Sequence, residues 1–180
     1  MKKGIFVKIR KVEINDAEFT LALRLDPKIS QFIFKTPPDL EKQKEWIKNQ
    51  QKKTDDHYFL IEDLNDKKLG TIAIYDVEKN CAELGRWLSR GNSLQNIDSI
   101  ILTYDFAFEQ LKLEYIDSFT NKNNKNVVNF HKTFGADFIE EIAEFQYKNF
   151  PDRIIKNRVE KNKYYDTIRP KQIELLQKFL

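Results

Sequence analysis

The segments AELGRWLS (residues 82–89), YDFAFEQLKL (104–113) and NKNNKNVVNFHKTFGA (121–136) form the stretch of sequence that decides the fold. The first segment is typical of a β-strand. A helix follows, because apolar residues recur at spacings of three and four: Ile97, Ile100, Ile101, Tyr104 and Phe108. Residues 113–119 predict a second strand, and the next helix is marked by Val127, Phe130 and Phe134. The stretch therefore predicts strand, helix, strand and helix in that order.

The residues on either side extend this pattern. Ahead of the stretch, the predicted elements are a strand (5–12), a helix capped by Asn15 or Asp16, a loop (26–38), a helix (39–50) and two strands (57–64 and 69–75) joined by an NDKK turn. Residues 136–147 are predicted to form the closing strand. The order β, α, α, β, β, β, α, β, α, β indicates an α/β or α+β fold.

The composition predicts one domain. At 180 residues and 41% hydrophobic content, the chain is long enough for one well-buried core and short for two domains. No apolar run approaches the ~18 residues that span a membrane, and charges interrupt the N-terminal segment too soon for a signal peptide. We therefore expect a cytoplasmic protein without a membrane partner. A single cysteine, Cys81, cannot form an intrachain disulfide or a cysteine zinc site, so no metal is expected.

Positive charge is concentrated at the C-terminal end. Residues 148–180 contain nine Lys or Arg and four Asp or Glu, so this tail carries +5 and the preceding 147 residues carry −2. Its basic residues are interleaved with apolar ones, which favours a helical extension over an arm that binds nucleic acid. We predict a domain of residues 1–147 and a basic helical extension of residues 148–180. The extension is expected to pack on the domain or, in a homodimer, on a second subunit.

The order of elements and the motifs of residues 82–136 resemble the acetyl-CoA-binding half of the GCN5-related N-acetyltransferases (GNATs). The resemblance covers roughly residues 7–147 of the chain. It implies a mixed, mostly antiparallel central sheet flanked by helices. It also implies an acyltransferase that uses acetyl-CoA to acetylate an amine.

The resemblance assigns cofactor contacts to the strand and the helix that follows it. In the family a splayed strand holds the pantetheine, and Trp87 and Leu88 match that strand. The pyrophosphate binds at a helix N-terminus, where free amides and the helix dipole favour anions. The usual R/Q-x-x-G-x-G/A loop is shorter here, by about two residues, and lacks its paired glycines. The expected phosphate contacts are Ser93, Gln95, Asn96 and Ile97; the alternative is an ordinary polar helix cap.

A second family motif, Asn-x6-Tyr-x3-Gly, is matched in part. Asn124 and Gly135 are in place, and His131 replaces the Tyr. The resemblance implies that Asn124 touches the cofactor, although it also suits a helix cap. An imidazole titrates near neutrality, so His131 is a candidate to protonate the departing thiolate, or else a packing residue. Tyr147 is the next candidate for that acid.

Glu83 lies where family members often place the carboxylate that deprotonates the amine through water. Acyl transfer needs such a base, because the amine must be neutral to attack. The alternative is a structural charge pair with a nearby Lys or Arg, such as Arg86.

Acceptor choice is expected to depend on the first third of the chain. The segment LDPKISQFIFKTPPDLEKQKEWI (residues 25–47) is similar to acetyltransferases that act on amino-sugar nucleotides in surface-glycan pathways. Phe32 and Phe34 are candidates to stack on the nucleobase or sugar, at roughly 1–3 kcal/mol, or to fill the core. The leading function is N-acetylation of a nucleotide-linked amino sugar. The alternatives are a protein N-terminal acetyltransferase of the ribosomal-protein type and a non-catalytic acyl-CoA-binding protein.

Overall fold

The computed structural model describes all 180 residues. Its strands are β1 (Lys2–Lys3), β2 (Val7–Lys11), β3 (His57–Asp63), β4 (Lys68–Glu78), β5 (Cys81–Ser89), β6 (Tyr115–Asn121), β7 (Asp137–Ile142) and β8 (Ile154–Glu160). Its helices are α1 (Ala17–Leu25), α2 (Leu40–Gln50), α3 (Ser93–Glu109), α4 (Lys125–Phe134), α5 (Lys161–Lys163) and α6 (Arg169–Gln177). No helix is long and apolar enough to cross a membrane.

All eight strands belong to one sheet, in the order β1-β2-β3-β4-β5-β6-β8-β7. Only β5 and β6 run parallel, since the chain returns between them through α3. Every other pair of neighbours is antiparallel. The expected mixed, mostly antiparallel sheet flanked by helices is therefore confirmed.

The two faces of the sheet carry separate hydrophobic cores. Side chains alternate between faces along a strand, so β4 sends Ala73 to one core and Ile72 and Ile74 to the other. The smaller core lies under α1 and α2, where Ile47 packs with Tyr58 and Leu60. The larger core lies under α3, α4 and α6.

The C-terminal segment corrects the expected helical extension from residue 148. Its first regular element is the strand β8, which lies inside the sheet between β6 and β7. The sheet therefore continues past residue 147, and burial alternates along β8: Ile155, Asn157 and Val159 are buried, while Lys156 and Arg158 between them are not. Only residues 161–177 are helical, and the hydroxyl of Tyr164 fixes them to α3 by donating to Asp105 over 2.8 Å.

Candidate active site

A cavity of about 570 Å³ lies between the sheet and the α1–α2 segment. Its lining comes from many separate parts of the chain: Arg24, residues 32–37, Asp39, Lys42, Gln43, Trp46, Tyr58, Tyr75, Glu83, Gly85, Arg86, Phe119, Asn121, Tyr147, Lys148, Phe150 and Ile154. Phe32 and Phe34 are among these residues. Phe34 is 49% exposed and meets Phe150 edge to face, with ring centroids 4.7 Å apart.

Glu83 forms the acidic centre of this cavity. It lies on β5 directly opposite Tyr75 of β4, so the two side chains share a face. The hydroxyl groups of Tyr75 and Tyr147 both donate to Oε1 of Glu83. The ammonium of Lys148 donates to Oε2 over 2.8 Å. Glu83 does have a basic partner, but it is Lys148 and not the expected Arg86.

The phenols around Glu83 keep their protons. Burial, followed by the negative charge of Glu83, raises the pKa of Tyr75 well above its ordinary value. Burial, Tyr75 and the Glu83 charge raise the pKa of Tyr147 in the same direction. Burial alone would lower the pKa of Lys148, but its bonds to Asp76 and Glu83 outweigh that effect and raise the pKa. The carboxylate therefore faces three proton donors at neutral pH.

A β-bulge in β5 turns Arg86 into the cavity. The pairing of Thr71 with Leu88 and Ala73 with Gly85 leaves two residues of β5 opposite one of β4. Arg86 takes a left-handed φ of 49° there, a conformation that costs a residue with a side chain roughly 1 kcal/mol.

The guanidinium of Arg86 is held by an anion and by aromatic rings. Nη1 of Arg86 donates to Oδ1 of Asp56 over 2.6 Å. The guanidinium carbon lies 4.2 Å from the ring centroid of Tyr75 and 5.2 Å from that of Trp46. Arg86 is therefore a fixed part of the cavity wall.

Beyond Leu84, β5 and β6 separate. Their parallel pairing covers only Cys81–Leu84 opposite residues 115–118, so residues 85–89 have no strand partner on the β6 side. Trp87 lies at this opening against Phe130 of α4, with ring centroids 4.8 Å apart. Its indole Nε1 is buried without a hydrogen-bond partner, while Leu88 is buried and pairs with β4. The opening offers unpaired backbone groups to an extended, amide-containing ligand such as pantetheine.

The start of α3 has both a helix cap and free amides. The backbone amide of Gln95 donates to the side chain of Asn92, and the backbone amide of Asn92 donates to the side chain of Gln95, both over 3.0 Å. The amide of Asn96 is bonded within the helix, and its side chain closes the loop on Gly91 over 3.1 Å. Of the expected phosphate contacts, Ser93 therefore keeps a backbone amide that donates no hydrogen bond. The amide of Leu94, next to it, is also free.

Asn124, at the start of α4, and Asp98, in the first turns of α3, also have structural roles. Asn124 caps α4 by accepting from the amide of Val127 over 3.3 Å. Asp98, on α3, accepts from the amides of Phe6 and Val7 over 2.6 and 3.0 Å. Asp98 is thus directed toward the start of β2. Ile97 lies one turn into α3, in the wall of a second cavity of about 380 Å³ between α3, α4 and α6.

His131 does not line the Glu83 cavity. It is only 3% exposed, and burial lowers its pKa to about 4. An imidazole with that pKa is neutral at pH 7 and has no readily lost proton. The structure therefore does not bring His131 to the Glu83 cavity, whereas the hydroxyl of Tyr147 donates directly to Glu83.

Sequence reasoning missed several residues of this cavity. Arg24, Tyr75 and Lys148 belong to no motif, and no spacing in the sequence connects them. Tyr75 could have been found from the predicted strand of residues 69–75. A strand that pairs with β5 carries a residue opposite Glu83, and that residue is Tyr75.

The comparisons with known proteins agree with this geometry. The model of the acetyltransferase (GNAT) domain matches residues 7–137. Among solved structures, apo FdhC, described as a nucleotide-linked sugar GNAT, is 29% identical over 95% of this chain and 96% of its own, with a TM-score of 0.76.

More distant structures share the fold. A mutant form of the spermidine N-acetyltransferase SpeG from Vibrio cholerae is 15% identical over 89% of this chain and 96% of its own, with a TM-score of 0.76. A GNAT-family acetyltransferase from Bacillus anthracis is 15% identical over 89% and 98%, with a TM-score of 0.75. No curated protein sequence matches the chain. Because the domain model covers residues 7–137, which is most of the chain, this protein belongs to the GNAT family of N-acetyltransferases.

Proposed function

We propose that the protein transfers the acetyl group of acetyl-CoA to the amine of a nucleotide-linked amino sugar. The single observation that carries this proposal is the distribution of charge in the cavity. One wall holds the carboxylate of Glu83, and another holds the guanidinium of Arg24, which has no carboxylate partner. An acceptor with an amine at one end and phosphate at the other matches both.

Arg24 is the group that favours phosphate. Its Nε donates to Oγ1 of Thr36 over 2.7 Å, and no Asp or Glu lies within ion-pair distance of it. Burial lowers the pKa of Arg24. This direction is that of a cation whose charge is poorly compensated by its surroundings. A buried charge without a partner is unfavourable, and arginine binds phosphate through paired hydrogen bonds. Lys35 also lines the cavity and adds positive charge, whereas Lys42 pairs with Asp39 over 3.7 Å.

The size and surface of the cavity suit the rest of such an acceptor. A volume of about 570 Å³ is within the usual range for small-molecule sites. Phe32, Phe34 and Trp46 offer aromatic surface for a nucleobase or sugar ring. The identity of 29% to a nucleotide-linked sugar GNAT supports the same substrate class.

The cofactor fits the opposite end of the site. Bound acetyl-CoA supplies an acetyl group activated as a thioester. The backbone of Trp87 and Leu88 at the separated strands suits the pantetheine amides, and the buried indole Nε1 of Trp87 still lacks an acceptor. The free amides of Ser93 and Leu94 at the α3 N-terminus suit a phosphate. Asn124 lies at the same end of the sheet, because α4 begins after the end of β6, and β6 runs parallel to β5.

Glu83 and Tyr147 are assigned to proton transfer. Glu83 accepts the proton that the amine must lose. The negative charge of Glu83 contributes to the raised pKa of Tyr147, so protonation of Glu83 removes part of that effect. Tyr147 thereby becomes a stronger acid as the thiolate leaves, and its hydroxyl is already in contact with Glu83.

Two measurements test the proposal. Acetyl-CoA at 100 times its dissociation constant should stabilise the fold by about 2.7 kcal/mol, measured as a thermal shift. Acetylation is then assayed with a panel of amino-sugar nucleotides, the same sugars without nucleotide, spermidine and N-terminal peptides. We expect turnover with the amino-sugar nucleotides. Preferred turnover of peptides or spermidine would overturn the substrate class, and cofactor binding without turnover of any amine would favour the non-catalytic alternative.

A further inference from the structure

The loop between β7 and β8 inserts a lysine into the acidic centre of the cavity. The ammonium of Lys148 lies 2.8 Å from Oε2 of Glu83 and 2.8 Å from Oδ2 of Asp76. The ring centroids of Tyr75 and Tyr147 are 5.0 and 5.2 Å from the same nitrogen. Two carboxylates, of which Glu83 is buried and Asp76 is exposed, and two aromatic rings are groups that attract a primary ammonium.

The loop adopts unfavourable backbone conformations around this lysine. Phe145, Lys148 and Asn149 have φ values of 61°, 45° and 57°, and a left-handed φ costs most residues with side chains roughly 1 kcal/mol. The side chain of Lys148 is 45% exposed, so the hydrophobic core does not hold it in place. Its contacts with the two carboxylates and the two rings are what fix it.

Access to Glu83 depends on Lys148. Oε1 of Glu83 already accepts from two tyrosine hydroxyls, which fills its lone pairs. Oε2 accepts from Lys148, and the side chain of Glu83 is only 9% exposed. Oε2 is therefore the oxygen left for an acceptor amine, and the Lys148 ammonium already contacts it.

We propose that Lys148 occupies the amine subsite in the free protein and that the acceptor's own ammonium group displaces it. This inference rests on the proposed function. The exchange replaces one ammonium by another, so Glu83 and Asp76 are never left without a cation. A neutral sugar cannot make this exchange. The acetylated product is an amide without charge. Once Glu83 has released its proton to solvent, the product no longer compensates the carboxylates, and the return of Lys148 favours its release.

The first experiment probes the subsite without the enzyme reaction. Lys148→Ala removes the internal ammonium and leaves space for a small one. The probe is n-butylammonium chloride, with n-butanol as its uncharged counterpart, and the readout is a saturable thermal shift. We expect the ammonium to bind Lys148→Ala at least 10-fold more tightly than wild type, and n-butanol to bind neither. Equal binding to both proteins would overturn the inference, as would equal binding to the double variant Lys148→Ala/Glu83→Gln.

The second experiment follows the acetylation itself. Lys148→Met keeps the aliphatic stem and removes the charge, so the KM for the acceptor should fall several-fold. The Kd for acetyl-CoA should stay the same. Lys148→Arg, which retains a cation, should not lower the KM. Lys163→Met is the matched control, because Lys163 pairs with Asp137 over 2.6 Å outside the cavity. An unchanged or higher KM in Lys148→Met would contradict displacement.

The two experiments separate this inference from the proposed function. If wild type acetylates no amine while Lys148→Ala still binds n-butylammonium, the proposed function fails and the ammonium subsite stands. If wild type acetylates amino-sugar nucleotides but Lys148→Met does not lower the KM, the function stands and the displacement fails.

Discussion

The groove proposed for the cofactor, formed by the opening between β5 and β6 and the start of α3, and the cavity around Glu83 proposed for the acceptor use different kinds of chemical group. The groove relies on neutral parts of the chain, namely the unpaired backbone after Leu84, the indole of Trp87 and the free amides of Ser93 and Leu94. The cavity instead combines partly buried charges, with Arg24 on one wall and Glu83 on another. Backbone groups can bind a cofactor that all family members share, whereas charged side chains can be changed to select an acceptor.

This difference predicts where single substitutions have the largest effect. A backbone group is not removed by changing its side chain, so the groove should tolerate substitutions. A charged side chain in the cavity is removed entirely, and its partner is left without compensation. The predictions below are ordered by their expected effect on acetylation.

Glu83→Gln should have the largest effect. Loss of a general base typically lowers turnover by roughly 10²–10⁴-fold, and the loss should be greatest at low pH, where the acceptor is largely protonated. The affinity for acetyl-CoA should stay within a few-fold of wild type. Steady-state kinetics across pH and a thermal shift with acetyl-CoA measure the two effects.

A matched variant is Glu62→Gln. Glu62 is 5% exposed and pairs with Arg10 over 3.0 Å away from the cavity. The Glu62→Gln variant should have a lower free energy of unfolding than wild type and an unchanged turnover. A similar loss of turnover in both variants would show that Glu83 acts through stability and not through proton transfer.

Tyr147→Phe should have the next largest effect. We expect turnover to fall by roughly 10²-fold, because the proposed acid is lost while the ring and its stacking on Phe119 remain. Tyr75→Phe removes the other hydroxyl bonded to Glu83 and should cost less, since it leaves Tyr147 in place. The basic limb of the pH profile should change only in Tyr147→Phe. Equal losses in the two variants would reduce both tyrosines to positioning residues.

Arg24→Met should act on the acceptor's phosphate. Hydrogen bonds to a charged group contribute about 1.5–3 kcal/mol, so the KM for an amino-sugar nucleotide should rise roughly 10–100-fold. The free protein should be no less stable, because the variant removes a poorly compensated cation. Acceptor kinetics and thermal unfolding test both points. The same KM increase for a sugar amine without phosphate would contradict the assignment.

The contrast between the two regions also explains what the sequence could predict. The groove is built from one continuous run, β5 to α4, so the order of its elements and the residues Trp87, Ser93 and Asn124 could be located from motifs. The cavity gathers Arg24, Tyr147 and other residues that only the strand order brings together.

Three local features could not be predicted from the sequence, each for a specific reason. The charges of residues 154–160 suggest an exposed helical tail, and the spacing of four between Ile155 and Val159 fits a helix as well as a strand. His131 matches a motif position, but the motif does not reveal that α4 buries this side chain. The β-bulge that directs Arg86 into the cavity has no glycine at that position and leaves no signal in the sequence.

Asn92→Ala should have a small effect on the groove. Loss of an N-cap side chain costs about 1 kcal/mol of stability, but it also releases the amide of Gln95. Acetyl-CoA affinity should therefore stay the same or rise slightly, as measured by titration calorimetry. A large loss of affinity would mean that the side chain of Asn92, and not the backbone of α3, binds the cofactor.

His131→Phe should have the smallest effect on acetylation and a clear effect on acid stability. Burial lowers the pKa of His131 to about 4, whereas it titrates near 6.5 in the unfolded chain. Between these values the unfolded state binds a proton that the folded state does not, so stability is lost as the pH falls from about 6.5 to 4. The lost contribution is roughly 3 kcal/mol. Phe cannot bind a proton, so the free energy of unfolding should fall less between pH 7 and pH 4 in the variant than in wild type. Turnover at pH 7 should stay within a few-fold of wild type. A loss of roughly 10²-fold or more in turnover would return His131 to the role of acid. Equal acid sensitivity in both proteins would show that another group, and not the buried imidazole, takes up the proton.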